Sequence, residues 1–309
     1  VSEVHGSTFR SIVLPFIIFT AIWGSTWIVI RDQLGTVPAH WSVAYRFVLA
    51  TLAMASLTLW KGDSLRLPAA GMVIALAMGF FQFVVNFNAV YLAEHHITSG
   101  LVATVFALLV IPNSLLAWAF LGQRPNARFV WSSLIAIGGT ALLFANELRA
   151  HPARSGDILL GIGLTLIGIL GASVTNVFQA REEVKRFPLF TLLTYAMGFG
   201  ALIDGAIAFA ASGPPVFDPR PGYWLGLGYL AVFASALAFS LYLPVVRKIG
   251  PGKAAYSSVL VPIIAMSFST WLEGYRWTPL AAAGAALVLG GMLGALSRDR
   301  VKVPAPDAA

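Results

Sequence analysis

Moved along itself by about 150 residues, this chain lays one apolar half over the other: Pro38 falls on Pro188, Tyr45 on Tyr195 and Pro112 on Pro262. After two further residues, Gly138 and Gly139 fall on Gly290 and Gly291. Each half holds five apolar runs long enough to cross a bilayer, and an odd number makes the second half enter from the opposite side. Inverted repeats of this kind build carriers whose binding site lies at the bilayer midplane between the repeats. The halves expected are 1–146 and 147–309.

Composition excludes a soluble fold. Of 309 residues, 58% are hydrophobic and 11% charged, against roughly a quarter charged in soluble domains. In water such a surface would aggregate, whereas in lipid it meets a matching solvent. The net charge of +7 resides in short loops, so it reports topology and anionic headgroups rather than nucleic acid. With no cysteine, disulfides, thiolate metal sites and thiol nucleophiles are excluded.

The ten runs are 12–30, 41–60, 69–92, 100–121, 129–145, 158–180, 189–211, 223–246, 254–272 and 279–296. The first is too long for a signal-peptide core and lacks a cleavage site after it, so it is read as a span. On the side of the N-terminus stand fourteen basic residues: Arg10, Lys61, Arg66, Arg124, Arg128, Arg181, Lys185, Arg186, Arg247, Lys248, Lys253, Arg298, Arg300 and Lys302. The other side has five: Arg31, Arg149, Arg154, Arg220 and Arg276. This bias predicts both termini in the cytoplasm. Trp41, Trp60, Trp131, Trp224, Trp271 and Trp277 fall near run ends, where interfacial anchoring is expected. The Pro- and Ala-rich tail 303–309 is expected to be disordered.

No zinc or nucleophile-elbow motif is present, 198–204 lacks the Gly-x-Gly-Asp spacing of an intramembrane protease, and no selectivity-filter sequence occurs. Translocation of a small solute remains, with no cofactor implied.

The residues also resemble a known family. Ala21-Ile22-Trp23-Gly24-Ser25-Thr26-Trp27 in run one, Tyr45-Arg46-Phe47 in run two, Pro112 followed by Leu121-Gly122-Gln123-Arg124-Pro125 in run four, and Gly138-Gly139 in run five are similar to the motifs of the EamA repeat in the drug/metabolite transporter superfamily. The second half repeats them loosely in Pro262, Leu272, Gly290 and Gly291; Gln123 replaces the family's usual acid, and Ala196 stands where Arg46 would recur. The resemblance implies an all-α integral membrane protein, ten transmembrane helices in two inverted five-helix EamA repeats. It further implies a bacterial inner-membrane exporter of metabolites, most similar to exporters of aromatic amino acids, acting as a monomer or weak homodimer on a small-molecule substrate within the lipid bilayer. A nucleotide-sugar or organic-anion exchanger of the same superfamily is the alternative, although only Arg46 is available inside a run to meet phosphate.

Trp23 and Trp27, four apart on one helix face, either pack against neighbours or line a cavity, with Ser25 and small residues between them. Arg46 lies inside a run, where a charge costs roughly 2.5–3.5 kcal/mol on the lenient insertion scale. It either snorkels outward or pairs with a buried acid, and Asp204 in run seven is the expected partner and coupling candidate. Gln82, Asn86, Asn88 and Tyr91 of run three and Ser173, Thr175, Asn176 and Gln179 of run six offer polar groups, as either interhelical bonds or a solute site. Tyr195, Tyr242, Tyr256, Ser257 and Ser258 are weaker candidates. Pro112 and Pro262, matched mid-run prolines, are candidate hinges. Glu94, His95 and His96 form a short outer loop whose ordinary reading is hydration and whose other reading is a pH-sensitive gate.

Overall fold

The structure, a computed structural model, describes residues 13–254 and 257–296. Arg10, Tyr256, Arg298, Arg300, Lys302 and the tail 303–309 lie outside the described residues, as do the side chains of Lys253 and Ser258.

Ten helices account for the described fold: α1 Leu14–Gln33, α2 Ala39–Trp60, α3 Ala69–Ala93, α4 Ser99–Leu121, α5 Ala127–Ala150, α6 Ser155–Ala180, α7 Leu189–Ser212, α8 Pro221–Ile249, α9 Ser257–Leu272 and α10 Pro279–Leu296. Eight apolar spans are long enough to cross a membrane, and α9 and α10 are shorter. The helices overrun the apolar runs. α5 continues from Ala145 through Asn146, Glu147 and Arg149, because a helix keeps its hydrogen bonds in the interface after hydrophobicity has ended.

The packing repeats like the sequence. α2 lies along α7 and α5 along α10; α4 meets α6 as α9 meets α1; and α3 meets α7 as α8 meets α2. Both α3 and α8 widen into π-helical turns, at Gly79–Asn86 and Val232–Leu237. Glycines seat the first of these turns. A Cβ on Gly171 of α6 would stand 2.5 Å from the Phe81 carbonyl, and one on Gly200 of α7 would stand 2.6 Å from Phe83 Cβ. α4 tightens to a 3₁₀ turn at Ala107–Leu109 just before Pro112.

Large apolar side chains such as Leu52, Val73, Leu202 and Leu225 are exposed around the bundle, as a lipid-facing girdle requires. Trp60, Trp131, Trp224, Trp271 and Trp277 are exposed as well. Trp41 is not: it is buried, and its indole N–H donates to the Gly213 carbonyl at 3.2 Å, so it ties α2 to the loop after α7 rather than to the interface.

Candidate functional site

A cavity of about 100 Å³ lies among α1, α2, α3, α4, α6, α8 and α9. Aromatic rings form part of its wall. The Trp23 ring meets Tyr242 at 4.9 Å and Phe239 at 5.5 Å between centroids, and Trp27 meets Phe106 at 5.5 Å. Trp23 Nε1 donates to the Ala234 carbonyl at 3.1 Å, a group within the α8 π turn. The ring orientation is therefore fixed by the widened turn it faces. The Trp27 indole N–H is buried and without a protein partner.

Arg46 is 1% exposed and does not snorkel. Its Nε donates to Ser235 Oγ at 3.0 Å and Nη1 to the Tyr91 hydroxyl at 3.4 Å. The guanidinium carbon stands 4.5 Å from the Phe87 ring centroid, within cation–π range. The expected pair with Asp204 is not formed. The buried Asp204 carboxylate instead accepts from Asn88 Nδ2 at 2.7 Å, and Asn88 Oδ1 faces His40 Nδ1 at 2.6 Å, within a separate cluster of α2, α3 and α7. Charge complementarity suggested the partner, but the rotation of α7 turns Asp204 toward Asn88. Among the described residues Arg46 has no carboxylate partner.

Gln82 and Asn86 from α3, Asn176 from α6, and Ser257 and Pro262 from α9 also line the cavity. Other expected site residues lie elsewhere. Ser25 Oγ donates to the Ile22 carbonyl at 2.9 Å and bonds the Tyr229 hydroxyl at 2.7 Å, joining α1 to α8 outside the cavity. Tyr91 stands behind Arg46, and Tyr195, near the start of α7, donates to the Leu65 carbonyl of the α2–α3 loop at 2.9 Å. Pro112 is off the cavity wall, but its neighbour Asn113 accepts from Asn176 Nδ2 at 3.4 Å. Phe87, Phe106, Phe239 and Thr26 were missed as lining residues, since phenylalanine in an apolar run carries no signal of which way it points.

A second cavity, of about 490 Å³, opens near the α6–α7 and α8–α9 connections and carries Gln123, Lys185, Arg247 and Lys248. Gln179 lines neither cavity: it is buried behind Arg247 of this one, and its Oε1 accepts from Arg247 Nε at 2.8 Å. Arg247 Nη1 donates to the Phe187 carbonyl at 3.2 Å, while Nη2 is buried without a protein partner. The second cavity is a basic vestibule at one end of the bundle, and the first is a chamber with aromatic faces and one cation, Arg46, on its wall.

Ser25→Ala separates the expected role from the observed one. It should cost about 1 kcal/mol of stability for a lost buried hydrogen bond and leave solute affinity unchanged, measured as thermal unfolding and counterflow on the same preparation.

The EamA-like transporter family matches residues 10–145 and again 159–297. The chain belongs to the EamA-like transporter family. It is therefore a multi-pass membrane transporter of a small solute, not an enzyme. Among similar proteins, the uncharacterized inner membrane transporter YedA of Escherichia coli strain K12 is 27% identical over 289 residues, covering 87% of this chain and 86% of that protein. A probable terminal-alkyne amino-acid exporter of Streptantibioticus cattleyicolor is 24% identical over 292 residues, 91% of this chain and 92% of that one. A solved crystal structure superposes with a TM-score of 0.68 at 21% identity, covering 92% of this chain and 96% of the other, a likeness of fold. None of the three carries an aromatic specificity in its name, so the EamA family is the level at which the resemblance holds.

Proposed function

We propose that this transporter exports a small metabolite of the amino acid class, with aromatic side chains favoured, by alternating access of the central cavity. Arg46 carries this reading: a buried guanidinium that forms no ion pair with an acid among the described residues, at the wall of a chamber with aromatic faces, awaits a carboxylate. Trp23, Trp27, Phe106 and Tyr242 supply faces for an aromatic side chain, and Gln82, Asn86 and Asn176 supply amide groups for an ammonium. One cation suits a monocarboxylate better than a phosphate dianion, which argues against the nucleotide-sugar alternative. The amino-acid exporter among the relatives agrees in solute class.

In this scheme both termini and the basic vestibule face the cytoplasm of a bacterium, and Lys185, Arg247 and Lys248 draw the anionic group inward. The units 1–146 and 147–309 rock about the cavity, with a single chain sufficient to form the site. Pro112 and Pro262 act as hinges, and Asp204 is a candidate for coupling apart from the solute.

Counterflow in proteoliposomes with a panel of amino acids, nucleotide sugars and phosphorylated metabolites tests the reading. Exchange of no amino acid would sink it. The hinge role has its own expected result: Pro262→Ala and Pro112→Ala should slow exchange several-fold with solute affinity and expression intact, about 1 kcal/mol on the moving step. A change in affinity alone would assign Pro262 to binding instead.

A further inference from the structure

At the end of the bundle opposite the vestibule, the loop between α3 and α4 holds an acid that hydropathy reads as hydrated. Glu94 is 0% exposed. Its Oε2 lies 3.0 Å from Ser99 Oγ, within hydrogen-bond distance, and its Oε1 is buried with no hydrogen-bond partner. The same Ser99 hydroxyl stands 3.1 Å from Oε1 of Glu273, which follows the end of α9. It also lies 3.3 Å from the carbonyl of Trp27, a residue of the cavity wall.

Glu273 is the better-solvated of the two acids by protein groups. Its oxygens accept from the Ser99 backbone N–H at 3.2 and 3.3 Å and from the Ser269 hydroxyl, and Arg31 Nε lies 3.7 Å away. Ser269 Oγ in turn accepts from the Gly100 N–H at 2.8 Å, so Glu273 holds the start of α4 to the end of α9. Arg31 of α1 also donates to the Glu94 carbonyl. Four helices around the cavity, α1, α3, α4 and α9, meet in this one cluster.

A serine hydroxyl has one hydrogen and here faces two carboxylates with one guanidinium between them. Two charges cannot both persist at that spacing with one of them wholly buried. We propose that Glu94 and Glu273 bind one proton between them through Ser99, and that this proton latches the far end of the cavity shut. The proton resides on Glu94, whose O–H donates to Ser99 Oγ while the Ser99 hydroxyl donates to the Glu273 carboxylate. When the proton leaves to water, Glu94 carries a charge that must be hydrated, and the α3–α4 loop separates from α9.

The groups facing Glu94 are Arg31 from α1, Arg46 from α2, Tyr91 from α3 itself and Glu273 from beyond α9. His95, beside it, faces Arg31 and His96, and His96 is held 3.4 Å from Asp157 of α6. Burial pushes the Glu94 carboxyl well above the usual carboxylate range; the Ser99 hydrogen bond opposes this, the charge of Glu273 adds to it, and Arg31 and Arg46 oppose it. The sign follows from linkage. The latched state holds the proton more tightly than the open, hydrated one, so acid favours closure and closure is lost as pH rises through the raised value.

The proposal rests on alternating access and not on which solute is carried, so its test uses no solute. The chain has no cysteine. Thr26→Cys places a thiol in the cavity, and Ala150→Cys places one on the exposed end of α5, at the latch end. Sealed vesicles in which Ala150→Cys shows the latch end to face outward are treated with a membrane-impermeant maleimide, and the Thr26→Cys rate is divided by the Ala150→Cys rate at each pH. Between about pH 5 and 9 the ratio should climb about tenfold per pH unit over part of the range, as one-proton linkage requires. Glu94→Gln, a fixed mimic of the protonated acid, should hold the ratio low and flat, and Glu273→Gln, which removes the charge that raises Glu94, should move the climb to lower pH. If Glu94→Gln does not fold, Glu273→Gln carries the test. A flat wild-type ratio, or a slope that Glu94→Gln leaves in place or Glu273→Gln leaves unshifted, overturns the proposal. A slope abolished by Asp204→Asn instead would move the proton site to α7.

Discussion

Arg46→Met should weaken solute binding about 10- to 100-fold while leaving the protein folded. A charge-assisted hydrogen bond is worth about 1.5–3 kcal/mol, and each 1.4 kcal/mol is tenfold in affinity. The substitution is close in length and apolar, and no acid is stranded by it, because among the described residues none pairs with Arg46. Ser235 keeps its bond to the Leu230 carbonyl at 2.9 Å, so the main loss inside the protein is at the Tyr91 hydroxyl. Leaving that hydroxyl unpaired costs about 1–3 kcal/mol, and removing the intramembrane charge returns about 2.5–3.5 kcal/mol. The unfolding temperature should therefore stay level or rise. Arg46→Lys should fall between, since an ammonium keeps the charge but cannot hold Ser235 while lying flat over Phe87. Counterflow affinity and thermal unfolding on the three proteins decide the matter: a Met variant with unchanged affinity would remove the carboxylate-binding role, and one that fails to fold would make Arg46 structural.

The parts of this architecture visible in the sequence are those that the bilayer itself dictates. A hydrocarbon slab demands apolar runs of set length, so ten helices were countable, and a charge inside one run, Arg46, was conspicuous. Helix rotation is not written in hydropathy. Gln82, Asn86 and Asn176 point into the cavity while Asn88, on the same helix as the first two, points to Asp204, and only packing separates them. Nor are the π turns of α3 and α8 legible, because the glycines that seat the first one, Gly171 and Gly200, belong to other helices. These turns matter to the site, since the α8 turn provides both the carbonyl that orients Trp23 and the serine that holds Arg46. Glu94 was misread as hydrated for a related reason: a short polar loop looks wet until the neighbouring helix ends, with Arg31 and Glu273, are folded over it.

The repeated glycine pairs make a prediction whose two halves have opposite sign. Lipid is as apolar as the helices it surrounds, so α5 and α10 cannot be driven together by hydrophobic burial and must gain their contact from close packing. Gly139 and Gly291 supply it. A Cβ on Gly139 would stand 2.6 Å from both the Gly284 carbonyl and the Val288 nitrogen, and one on Gly291 would stand 2.6 Å from the Ala136 nitrogen and the Ser132 carbonyl. Those neighbours are backbone and cannot turn aside, so even alanine must push the two helices apart, at about 1–3 kcal/mol per site. Gly138 and Gly290, one residue earlier in each pair, have open space where a Cβ would go. There alanine should be neutral or stabilising by up to about 1 kcal/mol through helix propensity. Thermal unfolding in detergent should show Gly139→Ala and Gly291→Ala lowered by several degrees, Gly138→Ala and Gly290→Ala level or raised, and the further loss from alanine to valine larger at the packed positions than at the open ones. If both members of a pair responded alike, the close α5–α10 contact would be wrong, and the repeat would owe its glycines to something other than the seam between its fifth and tenth helices.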